Sequence, residues 1–409
     1  MNKHLLTSVL MLLVLVMSCT DDSINHSGLD LSHPDTFIIT DMQAGLNGET
    51  HCIGYLFGTT LTHIKTYDKN LELIREINLN KPGLFQGKPT LRMDNKGGWV
   101  VADAVNDNNE CVLTLYRTDD QFNILTSRKL FSTALLHDNK SAQICDLLIE
   151  PDNDILINLD TSQIGIDLRG FLHDDFGIKI IKLSDDLTTV FDHTLGTEGI
   201  DPGYTDKFNA RILLLADGNI FYIYDATRNQ DQGNEHIMGL LSPDGKLIYQ
   251  KVRPKEFDWG NNNSLTVLGD QVVHNYSANN EYWTVFDLID PYSGDTKDRF
   301  KVSFNYDFES YEMVIEERVN RPSPYGSNQI GFAIFRGDEQ CVKFCTLDQD
   351  LDFMEHFKMP LPTGSVAYSY RQLISDRGTI IIGASIYDGK KENRSFVLQE
   401  LTKDGKLIQ

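Results

Sequence analysis

The fold is decided by residues 211–252, which read RILLLADGNIFYIYDATRNQDQGNEHIMGLLSPDGKLIYQKV. Four short runs rich in Ile, Leu, Val and Tyr alternate with polar breaks, and two of the breaks contain Asp-Gly or Pro-Asp-Gly. Such runs are typical of β-strands. The breaks are typical of tight hairpins, because Gly adopts positive φ and Pro presets the first turn position. The stretch therefore predicts a four-stranded antiparallel meander.

The same unit recurs along the chain in a less regular form. Turns of the second hairpin follow one another at intervals of about 56 residues, from Asp68-Lys69-Asn70 to Lys403-Asp404-Gly405. Turns of the first hairpin lie between them, from Asn47-Gly48 to Asp376-Arg377-Gly378. The seven pairs of turns predict seven repeated units.

Four-stranded sheets repeated at this spacing match the radial architecture of β-propellers. The predicted fold is all-β: a propeller of four-stranded antiparallel blades over residues 35–409, with seven blades and six or eight as alternatives. Separate β-sandwiches would need linkers between domains, and no stretch rich in Pro, Gly and Ser follows Pro34.

The first 18 residues predict a secretory signal. Lys3 precedes an apolar segment from Leu5 to Met17, about 13 residues long, whereas a membrane-spanning helix needs about 20. The end of this segment, Val16-Met17-Ser18-Cys19, resembles the bacterial lipobox. That resemblance implies cleavage before Cys19, acylation of this residue, with palmitate among the acyl groups, and a polar linker over residues 19–34.

Asp21 and Asp22 follow Cys19 closely and resemble the surface-export signal of Bacteroidota lipoproteins. Together with the repeated units over residues 37–409, they make the chain similar to outer-membrane lipoproteins of Bacteroidota that carry a β-propeller. This resemblance rests on turn spacing, without a diagnostic family motif. It implies a lipid-anchored protein of the outer membrane, exposed on the cell surface.

The charge excludes one class of partner. The formal net charge is −22, and removing the signal takes away only Lys3 among strong charges, which leaves about −23. Nucleic-acid binding needs clustered Lys and Arg, so nucleic acid is not an expected partner. The expected partners are the lipid membrane, through the anchor, and a glycan or protein ligand.

The two faces of a propeller differ in their loops. Turns between first and second strands and between third and fourth strands share one face, and here they are the tight ones. Connections on the other face, among them residues 103–110 and 225–235, are longer and irregular. They carry aromatic and amide side chains, which suit sugar rings or peptide side chains. The candidate ligand-binding residues are Trp259, Asn261, Tyr204, Trp283, Tyr325, Tyr370 and Arg371.

The signals for catalysis and metal binding are weaker. His173-Asp174-Asp175 is the densest titratable group in a long connection, but solvated charge is the simpler interpretation, so no catalytic residue is assigned. The histidines form no pair at metal-binding spacing, and no cofactor or metal site is predicted. Calcium is the alternative, at the acidic stretches Asp103–Glu110 and Asp225–Glu235.

Two function classes remain open. A non-catalytic surface lipoprotein that binds a glycan, a peptide or an envelope protein is favoured over a propeller enzyme such as a polysaccharide lyase, glycosidase or lactonase. The sequence also predicts how the ring closes. The last strand, from Lys406 to Gln409, is short, so residues from Phe37 to Thr40 are expected to lie against the last blade.

Overall fold

A computed structural model describes residues 37–56, 62–79, 89–107, 110–134, 143–161, 177–195, 204–228, 234–253, 264–278, 283–303, 323–325, 328–336, 339–375, 377–388, 394–402 and 408. This part of the chain contains 27 β-strands. No helix within it is long and apolar enough to cross a membrane.

The strands form seven antiparallel sheets in which sequence neighbours are hydrogen-bonded neighbours. The blades are, in chain order, β1–β4 (Phe37–Ala44, Thr50–Leu56, Thr62–Tyr67, Leu73–Asn78), β5–β8 (Thr90–Met93, Trp99–Asp107, Glu110–Thr118, Ile124–Ala134), β9–β12 (Gln143–Ile149, Ile155–Asp160, Ile178–Leu183, Thr189–Leu195), β13–β16 (Tyr204–Leu214, Ile220–Arg228, Asn234–Leu241, Leu247–Arg253), β17–β20 (Ser264–Leu268, Gln271–Ala278, Trp283–Ile289, Thr296–Ser303), β21–β24 (Ser323–Pro324, Gln329–Arg336, Cys341–Asp348, Phe353–Pro360) and β25–β27 (Ser365–Ile374, Ile380–Asp388, Arg394–Leu401).

The protein is a seven-bladed β-propeller, which confirms the predicted fold class and blade number. Residues 211–252 form blade 4 as a meander, with β13 paired to β14, β14 to β15 and β15 to β16. In blade 7 the described residues give three strands. Beside them the backbone N–H of Ile408 donates to the carbonyl oxygen of Glu400 at 3.0 Å, where the fourth strand belongs.

Burial explains why the middle strands are the most apolar. All six residues of β10, which contains Ile155, Leu156 and Ile157, are buried, whereas the residues of the outer strand β4 are exposed or half-buried. A middle strand has neighbouring strands on both edges and neighbouring blades on both faces. The core accordingly consists of apolar clusters that each join two consecutive blades, such as the cluster of Val100 and Leu113 with Ile157 and Leu183.

The turns divide the propeller into two faces. The tight-turn face carries the short hairpins between first and second strands and between third and fourth strands, such as 45–49, 94–98 and 242–246. In these hairpins an N–H donates to the carbonyl four residues later, as Asp94 does to Gly98 at 2.9 Å. The long-loop face is the opposite one, where second strands connect to third strands and one blade connects to the next.

Two predicted loops are wrong in their extent. Residues 103–110 and 225–235 were expected as irregular connections, but β6 continues to Asp107 and β14 continues to Arg228. The ladder carries on through Asp107 paired with Glu110 and Thr227 paired with Asn234. The strands were predicted from runs of apolar residues, and these strand ends are polar. They still pair, because the hydrogen bonds of a β-ladder are made by the backbone.

The first strand lies against the last blade as predicted, although it closes the ring in a different way. β1 contacts β25, β26 and β27 of blade 7. The Ser385 hydroxyl accepts from the Ile39 N–H and donates to the Phe37 carbonyl oxygen, both at 3.0 Å. However, β1 pairs with β2 in its own blade, so it closes the ring by packing against blade 7 rather than by repairing the outer edge of that blade.

Candidate functional site

Several predicted functional residues lie outside the described part of the chain. Cys19, the anchor residue, precedes it, and His173-Asp174-Asp175 falls in the undescribed residues 162–176. Trp259 and Asn261 fall in the undescribed residues 254–263, between β16 of blade 4 and β17 of blade 5 in the sequence. Their roles stay predictions.

Tyr204 and Trp283, expected in long connections, are instead the first residues of strands. Tyr204 is the first residue of β13 in blade 4, and Trp283 is the first residue of β19 in blade 5. Both strands start at the long-loop face. Two of the seven predicted ligand-binding residues therefore start strands of blades 4 and 5, and Trp259 and Asn261 fall between these two blades in the sequence.

The other three predicted residues do not lie in long loops. Tyr325 opens the tight turn that ends at Gln329, and its ring packs edge-on to Phe344 at 5.4 Å. Tyr370 and Arg371 lie within β25, where Tyr370 is buried and the Arg371 Nε donates to the Thr40 carbonyl oxygen at 2.6 Å. In this arrangement Arg371 joins blade 7 to blade 1.

A buried group of titratable side chains occupies blades 4 and 5, and it was missed from the sequence. Asp225 and His236 face each other across β14 and β15, with 2.9 Å between Asp225 Oδ1 and His236 Nδ1. Both are almost fully buried. The sequence patterns place Asp225 in a loop and His236 among unrelated histidines, so only the cross-strand register brings them together.

Blade 5 adds a carboxylate held by two guanidinium groups. Asp287 is fully buried, and its oxygens lie 2.9 Å from an Arg253 terminal nitrogen and 2.5 Å from Arg299 Nε. Burial raises the pKa of Asp287, while Arg253 acts in the opposite direction. Arg253 is the last residue of β16, so one of the two cations stands at the long-loop face.

His274 and Tyr276 complete the group on β18. Their rings stack with centroids 4.9 Å apart, and the Tyr276 ring lies 6.3 Å from that of His236. Burial, followed by Arg253 and Arg211, holds the pKa of His274 well below its usual value, so this imidazole is neutral at pH 7. Burial, followed by Asp287, raises the pKa of the Tyr276 phenol.

This buried group, made up of Asp225, His236, Arg253, His274, Tyr276, Asp287 and Arg299, is hereafter the blade 4/5 cluster. Two described guanidinium groups contact the carboxylate of Asp287, while Asp225 pairs with His236, so the cluster contains two arginines and two carboxylates within a strongly acidic chain. The sequence signal for this cluster is a polar residue directly after an apolar strand, as Asp225 follows Tyr222-Ile223-Tyr224.

The acidic stretches considered for calcium are described only in part, because residues 108–109 and 229–233 lie outside the described ranges. Asp103 and Asp225 are buried within strands. A different set, Glu150, Asp152 and Asp154, brings carboxylate oxygens within 4.8 Å of one another on the tight-turn face. Lys182 Nζ lies 2.9 Å from Glu150 and 3.6 Å from Asp154. Its ammonium group therefore offsets the charge that would attract a cation.

Comparisons with known proteins identify the fold and nothing finer. No protein-family model matches the chain, and no curated protein sequence matches it. A PL25 ulvan lyase, described as a polysaccharide lyase, has 11% sequence identity over 91% of this chain and 95% of its own, with a TM-score of 0.52. The propeller domain of the Trilobed protease from Pyrococcus furiosus, with an open velcro topology, has 10% identity over 90% and 95%, with a TM-score of 0.49. The chain is therefore similar in fold to the ulvan lyase over almost its whole length.

Proposed function

We propose that this protein is a lipid-anchored outer-membrane protein, exposed on the cell surface, whose long-loop face binds an acidic glycan at blades 4 and 5. The observation that supports it best is the pair Arg253 and Arg299 around the single carboxylate of Asp287. Guanidinium groups bind carboxylate and sulfate oxygens in a forked geometry, and these are the charged groups of acidic sugars.

The negative net charge of the chain restricts where an acidic ligand can bind. A chain with a net charge of −22 repels polyanions at most of its surface. An acidic glycan would therefore bind only where cations gather. Arg253 ends β16 at the long-loop face, and Arg299, opposite Asp287 in the middle of β20, adds the second guanidinium group. Arg253 and Arg299 retain 14% and 20% exposure of their side chains, so they are not sealed from solvent.

Aromatic side chains supply the second half of the proposed recognition. Tyr204 and Trp283 start strands at the long-loop face of blades 4 and 5, and Trp259 and Asn261 belong to the connection between those blades. A flat ring buries the apolar face of a sugar while an amide donates to its hydroxyl groups. A peptide or an envelope protein is the competing ligand.

The test is a calorimetric titration with trigalacturonate, using neutral maltotriose as the control sugar. Arg299→Gln is expected to weaken trigalacturonate binding at least tenfold, because a charged hydrogen bond is lost. Lys297→Gln removes the same charge from β20 at an exposed site and is expected to bind like wild type. Equal affinity for the two sugars, or an unchanged Arg299→Gln variant, would contradict the proposal.

Trp259 is tested separately. If the Trp259 ring stacks on the sugar, Trp259→Ala is expected to cost about 1–3 kcal/mol of binding free energy and to leave folding intact. If the ring instead packs between two blades, the same change would cost about 3–5 kcal/mol of folding stability. A large fall in melting temperature, with the affinity of the folded fraction preserved, would remove Trp259 from the binding site.

A second function, a propeller enzyme acting on polysaccharide, is favoured by the neutral imidazole of His274 stacked on the Tyr276 phenol. Imidazole and phenol groups serve in acid–base catalysis, and here both are buried, at 0% and 3% exposure. Release of unsaturated or shortened products from polygalacturonate, abolished in His274→Ala with an unchanged melting temperature, would establish catalysis. Saturable binding without any product would establish the binding protein.

A further inference from the structure

A cleft of about 640 Å³ opens on the tight-turn face between blades 1 and 2, on the side opposite the proposed glycan site. Its walls come from the turn at 45–49, the turn at 94–98, the start of β4 and the outer turn at 119–123. This volume lies within the range of small-ligand and peptide pockets, about 300–1,000 Å³.

The floor of the cleft contains a buried imidazole with one unused nitrogen. His51 is fully buried, and its Nδ1 lies 3.0 Å from the Thr66 hydroxyl. Its Nε2 has no hydrogen-bond partner among the described residues, while Glu49 Oε2 lies 3.8 Å away. Burial, followed by Arg75, lowers the pKa of His51 to about 4, so the ring is neutral at pH 7.

The cations that line the cleft already have carboxylate partners. Arg117 contacts Asp94 and Asp185, each at 3.1 Å, and Lys96 contacts Asp185 at 2.7 Å. Arg75 bridges to Asp120 of the next blade at 3.4 Å. Glu49 differs, because within the described ranges no Lys or Arg forms an ion pair with it. The cleft therefore offers one uncompensated carboxylate beside a neutral imidazole.

Exposed apolar side chains border this polar floor. Leu46, Ile74 and Leu125 are 61%, 53% and 68% exposed. Ile74 and Leu125 are the extra residues of β-bulges near the start of β4 and β8, where the pairing register shifts. A bulge turns its extra residue away from the ladder, which leaves these two side chains at the rim.

We propose that this cleft docks a segment of a partner protein in which a Lys or Arg side chain is flanked by apolar residues. The cationic head would donate to Glu49 Oε2 and His51 Nε2, which both accept, and the flanking residues would cover Ile74 and Leu125. The charge favours this ligand over an acidic peptide, because the described carboxylates around the cleft outnumber the cations and the chain as a whole is acidic.

The test uses three acetylated peptide amides, Leu-Arg-Leu, Leu-Gln-Leu and Leu-Glu-Leu, titrated into the full chain in detergent by nuclear magnetic resonance. We expect saturable binding of the basic peptide and at least tenfold weaker binding of the other two. Glu49→Gln should reduce affinity for the basic peptide about tenfold. Glu72→Gln removes the same charge from an exposed site on the neighbouring turn and should have no effect.

The apolar rim has its own matched control. Leu125→Ser should weaken binding of the basic peptide, whereas Val190→Ser should not, because Val190 is a 51% exposed bulge residue at the same position of blade 3, outside the cleft. Equal binding of basic and acidic peptides, absence of binding by the basic peptide, or an unchanged Glu49→Gln variant would overturn the proposal.

Discussion

In several blades, one residue of the turn between the third and fourth strands packs against the preceding blade. Leu71, Phe122, Leu187 and Leu351 adopt positive φ, between 60° and 67°, which is uncommon for residues with a side chain. Each packs into an apolar cluster shared with the preceding blade, and the Phe122 ring stacks on Trp99 at 5.2 Å. Burial of the side chain offsets a backbone strain of about 1–2 kcal/mol.

In blade 4 a side chain of the preceding blade, rather than one of the turn, fills this space. Gly245 occupies the equivalent turn position with φ +80°, and a Cβ there would lie 2.5 Å from the Phe191 ring of blade 3. Phe191 thus fills the space that a Leu or Phe side chain of the turn occupies elsewhere. The two arrangements exclude each other, because both would place carbon atoms in one volume.

Gly245→Ala is expected to lower the free energy of unfolding by about 2–4 kcal/mol, through backbone strain together with the clash against Phe191. Gly364→Ala is the matched control, because Gly364 also has φ +80° but has nothing within 4 Å of the place that a Cβ would take. That control should lose only about 1–2 kcal/mol. Urea titrations measure both values, and equal losses would show that Phe191 does not press on this turn.

His51 predicts a pH dependence of stability. Its pKa is about 4 in the folded protein, below the ordinary value of 6.5, so the unfolded chain binds the proton first as the pH falls. Stability is therefore complete above about pH 6.5 and decreases toward pH 4, by on the order of 3 kcal/mol for this group. His51→Gln should flatten the slope in this range. An identical slope in the variant and wild type would contradict the assignment.

At the scale of elements, hairpin turns were readable from the sequence and strand ends were not. Asp-Gly and Pro-Asp-Gly breaks located the turns of blade 4, because positive φ is a local requirement of the chain. The ends of β6 and β14 are polar and continue by pairing with a neighbouring strand. That pairing depends on the register of the two strands. The sequence does not specify the register of a segment whose side chains are polar on both faces of the sheet.

Ring closure depends on β1, so its loss is expected to be costly. Deletion of residues 35–40 removes Phe37 and Ile39, both fully buried, together with their hydrogen bonds to Ser385. The melting temperature should fall sharply. Ser385→Ala is the milder variant and should lose about 1–3 kcal/mol, because it leaves a buried N–H and a carbonyl without this hydroxyl. A deletion variant as stable as wild type would rule out closure by β1.

At the scale of the whole molecule, turn spacing predicted the propeller and its seven blades, whereas the positions of the candidate ligand-binding residues were predicted only in part. Tyr204 and Trp283 stand at the predicted face, but Tyr370 and Arg371 lie inside a strand. The blade 4/5 cluster was hidden because its members are separated by up to 74 positions, from Asp225 to Arg299, and meet only through the packing of two blades.

The proposed anchor has a direct test in the whole protein. Cys19→Ala should remove the acylated residue and either release the protein from the membrane fraction or leave the signal uncleaved, because the lipid chains supply the membrane affinity. Fractionation and intact mass measure both results. Unchanged membrane association together with unchanged mass would contradict lipidation at Cys19.

Hydrogen–deuterium exchange with bound trigalacturonate tests the central claim most directly, because it reports which face of the propeller the ligand covers. The account predicts slower exchange from the end of β16 through the start of β17 and at the start of β19, on the long-loop face of blades 4 and 5. Exchange at the turns 45–49 and 94–98 should be unchanged, since these line the separate cleft of blades 1 and 2. Slowing confined to those two turns, or spread evenly over all seven blades, would contradict glycan binding at blades 4 and 5.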